Sequence, residues 1–322
     1  MNQLSGKKVF ITGATGFVGS NLVRRALSQG ADVYINTRSS SDTWRIRDNL
    51  ADVTVVSADI TEFEKIRDSL SDVKPEIIFH TAVYGGSAEQ SDIQKIIDTN
   101  ICGTVNLLKC CRTLNLDLFV NTGSSSEYGL KNYPMKESDI LDPVTDYGAA
   151  KAAATLFCRS HAMSEKIPVV TLRLFSPYGP YEQKNRLVPS VVLAALQKTS
   201  PVIASRQFVR DFIFIDDVLD AYEAATLIRH PSGEIFNIGS GQQHTVGEVT
   251  DTIISLLGNE VTAQTGRPQA WKNEPTCWQA DIHRATSELH WEPRYSLQDG
   301  LATTVDWFKK NKTLYLKVQG IS

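Results

Sequence analysis

The chain of 322 residues has none of the long apolar segments that a membrane protein needs. Its longest apolar runs, such as residues 191–196, fall far short of the roughly 20 residues that a membrane-spanning helix requires. No apolar segment follows Met1 that would predict a signal peptide. We therefore expect a cytoplasmic protein that does not bind membranes.

Cysteine and histidine are few and scattered. The five cysteines contain no C-x-x-C pair, and the six histidines contain no H-x-x-x-H pair. Zinc sites and dithiol redox sites typically contain such pairs. The pattern predicts no metal site, and we interpret the cysteines as small buried hydrophobic residues.

The chain also has no excess of basic over acidic residues. The 33 lysines and arginines face 36 acidic residues, which gives a formal net charge of -3, and no dense basic stripe is present. Nucleic acid is therefore not an expected partner. The 42% of hydrophobic and 21% of charged residues are typical of a soluble globular protein, long enough for one large core or two domains.

What the chain does have is a glycine turn between a strand and a helix. Residues 7–12 are predicted to form a short buried strand, and Gly13, Gly16 and Gly19 follow it in a G-x-x-G-x-x-G spacing. An apolar-periodic helix then runs to about Gly30. Glycines allow the backbone to approach a pyrophosphate, which the N-terminus of the helix attracts. This context predicts a dinucleotide site.

The rest of the first half alternates between strands and helices. Strand patterns occupy residues 32–36, 53–57, 76–80 and 118–122, and helical patterns separate them. Such alternation predicts βαβ units with a parallel sheet.

A phenol and an ammonium lie one helical turn apart in the second of two long helical segments. Tyr147 and Lys151 are at positions i and i+4, which share a helix face. A free tyrosine titrates near pH 10, and a nearby positive charge stabilises its phenolate. We therefore expect Lys151 to lower the pKa of Tyr147, so that the phenol can transfer a proton at neutral pH.

With these motifs in order, the chain resembles the extended short-chain dehydrogenase/reductases, also called the nucleotide-sugar epimerase/dehydratase family, over nearly its whole length. The resemblance implies a doubly wound parallel Rossmann sheet in residues 1–175. It also implies a smaller C-terminal α/β substrate domain in residues 176–322, with parts of 208–260 packing back on the first domain. The landmarks are residues 12–19, Asp59, Ile60, 80–82, Asn100, Gly103, Thr104, Ser124, Tyr128, Gly129, Tyr147, Lys151, Arg173, 178–180, 210–212 and 216–218.

The resemblance also implies the cofactor site. Its residues are Gly13, Thr15, Gly16, Phe17, Val18, Arg38, Ser39, Asp59, Ile60, Thr81, Ala82, Asn100, Thr122, Tyr147, Lys151 and Phe175. Members of this class that prefer NAD usually have an acid about twenty residues after the glycine turn, whereas an arginine there accommodates a 2′-phosphate. Here that place holds Arg38 and Ser39, and no carboxylate occurs until Asp42. We predict a preference for NADP(H), with NAD(H) possible.

The expected reaction depends on residues 124–129. Ser124 occupies the position of the family's catalytic Ser/Thr, which with Tyr147 and Lys151 makes the predicted catalytic set. Dehydratases of the family have an Asp and a Glu in the next two positions, where this chain has Ser125 and Ser126. Hydroxyls cannot do carboxylate acid/base work near neutral pH, so dehydration is disfavoured. Glu127 follows one place later, where its side chain should point elsewhere.

A Gly-Ser-Ser-x-Glu-Tyr-Gly string is similar to that of the 4-keto-6-deoxy sugar reductases, such as the GDP-4-keto-6-deoxymannose reductases and the CDP-abequose and CDP-paratose synthases. The resemblance implies NADPH-dependent reduction of a keto group on a nucleotide-activated 6-deoxysugar. Tyr147 would donate the proton, Lys151 would bind the nicotinamide ribose, and Ser124 would orient the carbonyl oxygen. The alternatives are an NAD-dependent nucleotide-sugar 4-epimerase and a catalytically silent NADP-sensing regulatory protein.

The resemblance implies a nucleotide-diphosphate sugar as partner. Arg210 would contact the diphosphate, and Arg186 with Leu187 would lie over the nucleobase. Ser125 and Ser126 would face the sugar, and Arg267 is displaced from the position of the family's late arginine. The base and the sugar stay open. The helical segments 92–114 and 147–164 carry apolar residues on more than one face. In the relatives that the chain resembles, the corresponding helices pair across a two-fold axis, so the resemblance implies a homodimer.

Overall fold

The structure is a computed structural model that describes residues 3–87, 89–258, 260–266 and 275–316. Eleven α-helices and thirteen strands are described in these ranges. The strands are β1 (Lys8–Thr12), β2 (Asp32–Thr37), β3 (Thr54–Ser57), β4 (Ile77–His80), β5 (Leu118–Ser124), β6 (Val169–Leu174), β7 (Ser176–Tyr178), β8 (Val202–Ile203), β9 (Val209–Arg210), β10 (Phe212–Phe214), β11 (Glu234–Ile238), β12 (His244–Thr245) and β13 (Gln264–Thr265).

Helices follow most strands, as expected for parallel crossovers. Short 3₁₀ turns cover Trp44–Asn49 and Ser125–Glu127, and a π-helical turn, Asp98–Cys102, joins the third and fourth helices. The helices are α1 (Phe17–Ser28), α2 (Phe63–Val73), α3 (Ile93–Ile97), α4 (Gly103–Cys111), α5 (Asp146–Glu165), α6 (Leu187–Leu196), α7 (Ile215–Ala225), α8 (Val246–Leu256), α9 (His283–Glu288), α10 (Leu297–Asn311) and α11 (Thr313–Leu316).

Seven strands form one sheet in the order β11-β6-β5-β4-β1-β2-β3, and all neighbours are parallel. The chain runs outward from β1 to β3, returns to β4 beside β1, and then runs outward the other way. This reversal opens a crevice at the carboxyl ends of β1 and β4. The predicted doubly wound parallel sheet is confirmed, and the four strands predicted from residue 32 onward agree with β2 to β5 within two residues.

Helices on both faces of the sheet explain its apolar strands. Every residue of β4 and of β6 is buried. Along β1, Val9 and Ile11 enter one core cluster, whereas Phe10 enters the cluster on the opposite face. Because side chains alternate across a strand, one apolar run supplies both cores.

Elements late in the chain join the sheet and pack beside it. The strand β11 pairs with β6 from Glu234 to Ile238, although it lies well beyond residue 176. Helices α6, α8 and α10 contact one another next to the short strand pair β7 and β10. The division at residue 175 stays a prediction.

Neither a membrane-spanning helix nor a cluster of metal-ligand side chains occurs in the described ranges. No helix among them combines the length and apolarity needed to cross a bilayer. Within the same ranges, no three histidine, cysteine, aspartate or glutamate side chains lie together as a metal ion would require.

Candidate active site

A cleft of about 1000 Å³ lies at the carboxyl ends of the central strands. It brings together most of the site residues predicted from the sequence. These are Gly13, Thr15, Gly16, Phe17, Val18, Arg38, Asp59, Ile60, Thr81, Ala82, Thr122, Ser124, Ser125, Ser126, Tyr147, Lys151, Phe175, Arg186 and Arg210. A larger and more open groove beside residues 159–166 and 230–235 contains none of the predicted residues.

Four predicted residues are not among those that line the cleft. Ser39 is exposed, and Leu187 begins α6. Asn100 is buried, where its side chain accepts from the Tyr84 amide at 2.9 Å and donates to the Tyr84 carbonyl at 2.7 Å. Asn100 therefore shapes a loop that lines the cleft, although it does not line the cleft itself. Arg267 lies outside the described residues.

The glycine turn forms a tight cradle at the N-terminus of α1. Gly13 has φ of +69°, and a Cβ there would lie 2.5 Å from the Ala82 amide nitrogen. At Gly19 a Cβ would lie 2.2 Å from the Gly13 carbonyl oxygen. No side chain caps α1 at Gly16, so the first N–H groups of the helix can bind an anion. This cradle fits the pyrophosphate of a dinucleotide.

The adenosine end of this cradle is formed by the residues that follow β2. Arg38 and Ser41 line the cleft, and the Ser41 hydroxyl accepts from the Arg38 amide at 3.0 Å. Asp59 follows β3, and its carboxylate accepts from the Thr61 amide at 2.9 Å. The described lining residues directly after β2 are Arg38 and Ser41 and include no carboxylate, so a phosphate bound there would meet a guanidinium and a hydroxyl.

Helix α5 supplies Tyr147 and Lys151. The Thr145 hydroxyl caps the helix by accepting from the Gly148 amide at 3.0 Å. A Cβ at Gly148 would lie 2.5 Å from the Ser126 carbonyl oxygen, so the glycine allows α5 to approach the strip after β5. This close approach places Tyr147 and the buried Lys151 beside Ser124 in the cleft.

Burial shifts the pKa values of both Tyr147 and Lys151. Burial raises the pKa of Tyr147, while the Ser124 hydroxyl and the Arg186 charge act to lower it. Burial also lowers the pKa of Lys151, and attraction to Glu127 opposes that change. The net shift of the Tyr147 pKa is upward, opposite to the direction expected from the sequence, and the influence of Lys151 on the phenol stays a prediction. Tyr147 holds its proton at neutral pH because desolvation disfavours the phenolate.

Trp278 is a cleft residue that the sequence reasoning missed. Its indole N–H donates to the Ser125 hydroxyl at 3.2 Å. The Arg210 guanidinium lies 5.2 Å from the centre of the Trp278 ring. Because 153 residues separate Trp278 from Ser125, only the fold brings them together. No sequence signal marks this contact.

Glu182 is a second residue that the motifs did not identify. It lines the cleft, is buried, and has one carboxyl oxygen without a hydrogen-bond partner among the described residues. The Arg186 guanidinium is 3.9 Å from the other oxygen. Burial raises the pKa of Glu182 to about 8, and the Arg186 charge opposes this rise. The sequence signal that could have identified Glu182 was its position two residues after Tyr178-Gly179-Pro180.

The raised pKa of Glu182 predicts a specific pH dependence of stability. The folded protein binds the Glu182 proton up to about pH 8, whereas the ordinary pKa is 4.5, so this stabilisation is lost as the pH rises from 4.5 through 8. Glu182→Gln should therefore gain stability over the wild type, by a few kcal/mol, as the pH rises through that window. Urea unfolding at pH 5 to 9 measures the difference. The exposed Glu292→Gln is the control, and a pH-independent difference for Glu182→Gln would contradict the assignment.

Residues 9–239 match the NAD dependent epimerase/dehydratase family. The chain belongs to this family. It is therefore a nucleotide-sugar-modifying short-chain dehydrogenase/reductase, an enzyme that needs a nicotinamide dinucleotide as cofactor.

Individual members of the epimerase/dehydratase family match along their whole length. A low-salt glycan biosynthesis protein of Haloferax volcanii is 30% identical over 318 residues, which cover 93% of this chain and 98% of that protein. An epimerase from Methanothermobacter thermautotrophicus has a TM-score of 0.90 at 27% identity, covering 98% and 96% of the two chains. The UDP-glucuronic acid 4-epimerase of Bacillus cereus, solved with UDP-glucuronic acid and NAD, has a TM-score of 0.84 at 26% identity, covering 94% and 99%.

Proposed function

We propose that this family member reduces a keto group on a nucleotide-activated 6-deoxysugar with NADPH. The observation that carries the proposal is the end of β2, where Arg38 and Ser41 line the cleft. A guanidinium pairs well with a phosphate dianion and has no such partner on an unphosphorylated ribose. A preference for NADP(H) suits net reduction, in which the cofactor must exchange after each turnover.

The chain's own residues suit proton donation to a carbonyl oxygen. When bound, the nicotinamide dinucleotide supplies the hydride that reduces the keto carbon. Tyr147 holds its proton at neutral pH and can give it to the oxygen on which charge develops. Ser124, within reach of the phenol, offers a second hydroxyl to that oxygen.

At positions 125 and 126 the chain has serines where the family's dehydratases have the Asp and Glu that eliminate water. Ser125 and Ser126 line the cleft with hydroxyls, and Trp278 covers Ser125. Arg210 and Arg186 bring guanidinium groups to the same cleft, which suits the diphosphate of a nucleotide sugar. These features support a sugar nucleotide as substrate and disfavour dehydration.

A 4-epimerase is the second candidate. It would use the same Ser124, Tyr147 and Lys151, and solved relatives include a UDP-sugar 4-epimerase with bound NAD. An epimerase returns the hydride to the same sugar, so its NAD stays bound through many turnovers. Retention of the cofactor therefore distinguishes the two reactions.

The first experiment is to denature the purified protein and identify the nucleotide that it releases. The second follows oxidation of NADPH with a panel of 4-keto-6-deoxy sugar nucleotides. We expect little retained nucleotide and rapid oxidation with one member of the panel. Retained NAD with interconversion of UDP-sugars would establish the epimerase instead. Cofactor binding without any turnover would support a regulatory protein.

Arg38→Ala should weaken NADPH but not NADH. Loss of a charge-assisted contact with the 2′-phosphate should raise the KM for NADPH about 10- to 100-fold, because such bonds contribute about 1.5–3 kcal/mol. Steady-state kinetics with both cofactors measures this. Ser39→Ala is the matched control, since Ser39 is exposed and does not line the cleft. An equal loss for both cofactors would argue against recognition of the 2′-phosphate.

We also propose a homodimer, with α3 and α5 at the interface. These helices contact each other, and each carries exposed apolar side chains. They are Ile93, Ile97, Leu156 and Phe157, which are 53%, 37%, 56% and 42% exposed. Adjacent exposed apolar residues are typical of a surface that another chain covers. Sedimentation velocity at micromolar concentration should show a dimer, and a monomer would exclude this interface.

A further inference from the structure

Glu127 is a buried carboxylate directly behind the proposed catalytic hydroxyl. Its side chain is 0% exposed. One oxygen accepts from the Ser124 amide at 2.8 Å and from the Thr155 hydroxyl at 3.0 Å. The other accepts from the Arg173 guanidinium at 2.8 Å. Glu127 accepts all three of these hydrogen bonds and donates none, which is the pattern of an ionised carboxylate.

The contacts of Glu127 connect three elements at the catalytic end of the sheet. Ser124 ends β5, Thr155 lies on α5, and Arg173 lies on β6. A Cβ at Gly123 would lie 2.8 Å from the Glu127 carboxylate, so a glycine immediately before Ser124 makes room for it. The carboxylate therefore fixes the backbone of Ser124 relative to α5.

The carboxylate also acts on the proton-transfer pair. Thr155 is one turn beyond Lys151 on α5, so Glu127 lies on the face of the helix that carries the ammonium. Attraction to Glu127 acts to raise the pKa of Lys151, and repulsion from Glu127 acts to raise the pKa of Tyr147. Both effects hold protons on the pair.

Other charged and titratable groups face these residues. Burial raises the pKa of Glu127, and Arg173 opposes the rise more than the other neighbours do. Among the carboxylates that the structure describes, Glu127 is the one that affects the pKa values of both Lys151 and Tyr147. The remaining groups that face the three residues are Arg173 on β6, Cys158 on α5, Tyr128 after β5, His80 at the end of β4 and Arg186 before α6.

We propose that Glu127 is a positioning residue that fixes Ser124 and keeps the Tyr147–Lys151 pair protonated, so that the site is set to donate a proton. This inference rests on the proposed reductase function and deepens it. A reductase needs a phenol that gives up its proton to the developing alkoxide. An epimerase that begins from an alcohol needs the phenol to accept a proton first.

The direction of the expected effect does not depend on which member of the pair titrates first. Two coupled groups lose protons in macroscopic steps that belong to the pair. Removal of a nearby negative charge weakens proton binding to both, so the first step moves to lower pH. For Glu127→Gln we expect a shift of about one pH unit, a tenfold change in proton affinity.

Nuclear magnetic resonance can measure this step without turnover. Protein labelled with ¹³C at the tyrosine Cζ and ¹⁵N at the lysine Nζ is titrated with NADPH bound. The signals of the pair are assigned with Tyr147→Phe and Lys151→Met. We expect the first deprotonation of the pair to occur at lower pH in Glu127→Gln. An unchanged or higher midpoint would overturn the proposal.

Two further variants guard against a purely structural effect. Glu127→Gln leaves the Arg173 charge buried without its partner, and that charge itself disfavours protons on the pair. Glu127→Gln/Arg173→Met removes both charges and should shift the midpoint in the same downward direction, by no more than Glu127→Gln does. Tyr128→Phe is the control, because it removes the Tyr128 hydroxyl that accepts from Arg173 at 2.9 Å and keeps the carboxylate. Its midpoint should equal that of the wild type. An equal shift in Tyr128→Phe would assign the effect to structure and overturn the proposal.

The same variants distinguish failure of the inference from failure of the proposed function. In Glu127→Gln, the decline of kcat for NADPH oxidation on the alkaline side of the pH profile should begin about one pH unit lower than in the wild type. A shifted resonance midpoint in a protein that reduces no sugar nucleotide would reject the reductase and retain the role of Glu127. Active reduction with an unshifted midpoint would reject only the role of Glu127.

Discussion

Tyr147→Phe should lower kcat for NADPH oxidation by about 10²- to 10⁴-fold, the range that general acid catalysis contributes. The phenylalanine ring keeps the shape that lines the cleft but carries no proton for the carbonyl oxygen. NADPH affinity should change little, since the substitution leaves unchanged the glycine cradle at Gly13 and the β2 end at Arg38, which line the same cleft. Stopped-flow turnover and a fluorescence titration of NADPH measure the two quantities.

The control for this substitution is Tyr133→Phe, which removes a hydroxyl from a half-exposed surface tyrosine. It should retain wild-type turnover. Near-normal turnover in Tyr147→Phe would remove Tyr147 from the role of acid. An equal loss of turnover and of NADPH affinity would show instead that the phenol supports the cofactor.

Gly13→Ala has the second large expected effect, because two costs coincide at this position. Its φ of +69° disfavours any side chain by about 1–2 kcal/mol. The new Cβ would also lie 2.5 Å from the Ala82 amide nitrogen, which is backbone and cannot rotate away. We expect NADPH affinity to fall at least about a hundredfold, since one misplaced turn removes several bonds to the pyrophosphate that each contribute about 1.5–3 kcal/mol.

Gly30→Ala separates the two costs. Gly30 has a similar φ of +81°, but the nearest atom to a new Cβ is the Ser5 hydroxyl oxygen at 3.6 Å. It should lose about 1–2 kcal/mol of stability and keep its NADPH affinity. Urea unfolding and the same titration test both variants. Equal NADPH affinity in Gly13→Ala and Gly30→Ala would contradict a cofactor cradle at Gly13.

Local patterns in the sequence predicted the sheet and the cradle because both depend on neighbouring residues. The apolar runs that became β1 and β4 are buried on both faces, and the glycines lie within seven residues of one another. The fold class and the family were therefore accessible from the sequence alone. The NADP(H) preference and the roles of Ser124, Tyr147 and Lys151 stay predictions.

Contacts between distant segments were not accessible in this way. The sequence indicated that Glu127 points away from the cleft, but only the fold places Arg173 and Thr155 around it. Likewise, the spacing of Tyr147 and Lys151 predicted a shared face and could not predict how burial shifts their pKa values. Desolvation depends on everything packed around a group, which no short motif contains.

The position of β11 has a consequence for how the protein folds during synthesis. All six residues of β6 are buried, yet one edge of β6 is paired only by Glu234–Ile238. Until that segment leaves the ribosome, the nascent chain presents β6 as an unpaired apolar edge, which is a template for aggregation. A fragment that ends at residue 175 should therefore be insoluble, and the sheet can be completed only after roughly three quarters of the chain has been made, a late closure of the kind that slows folding.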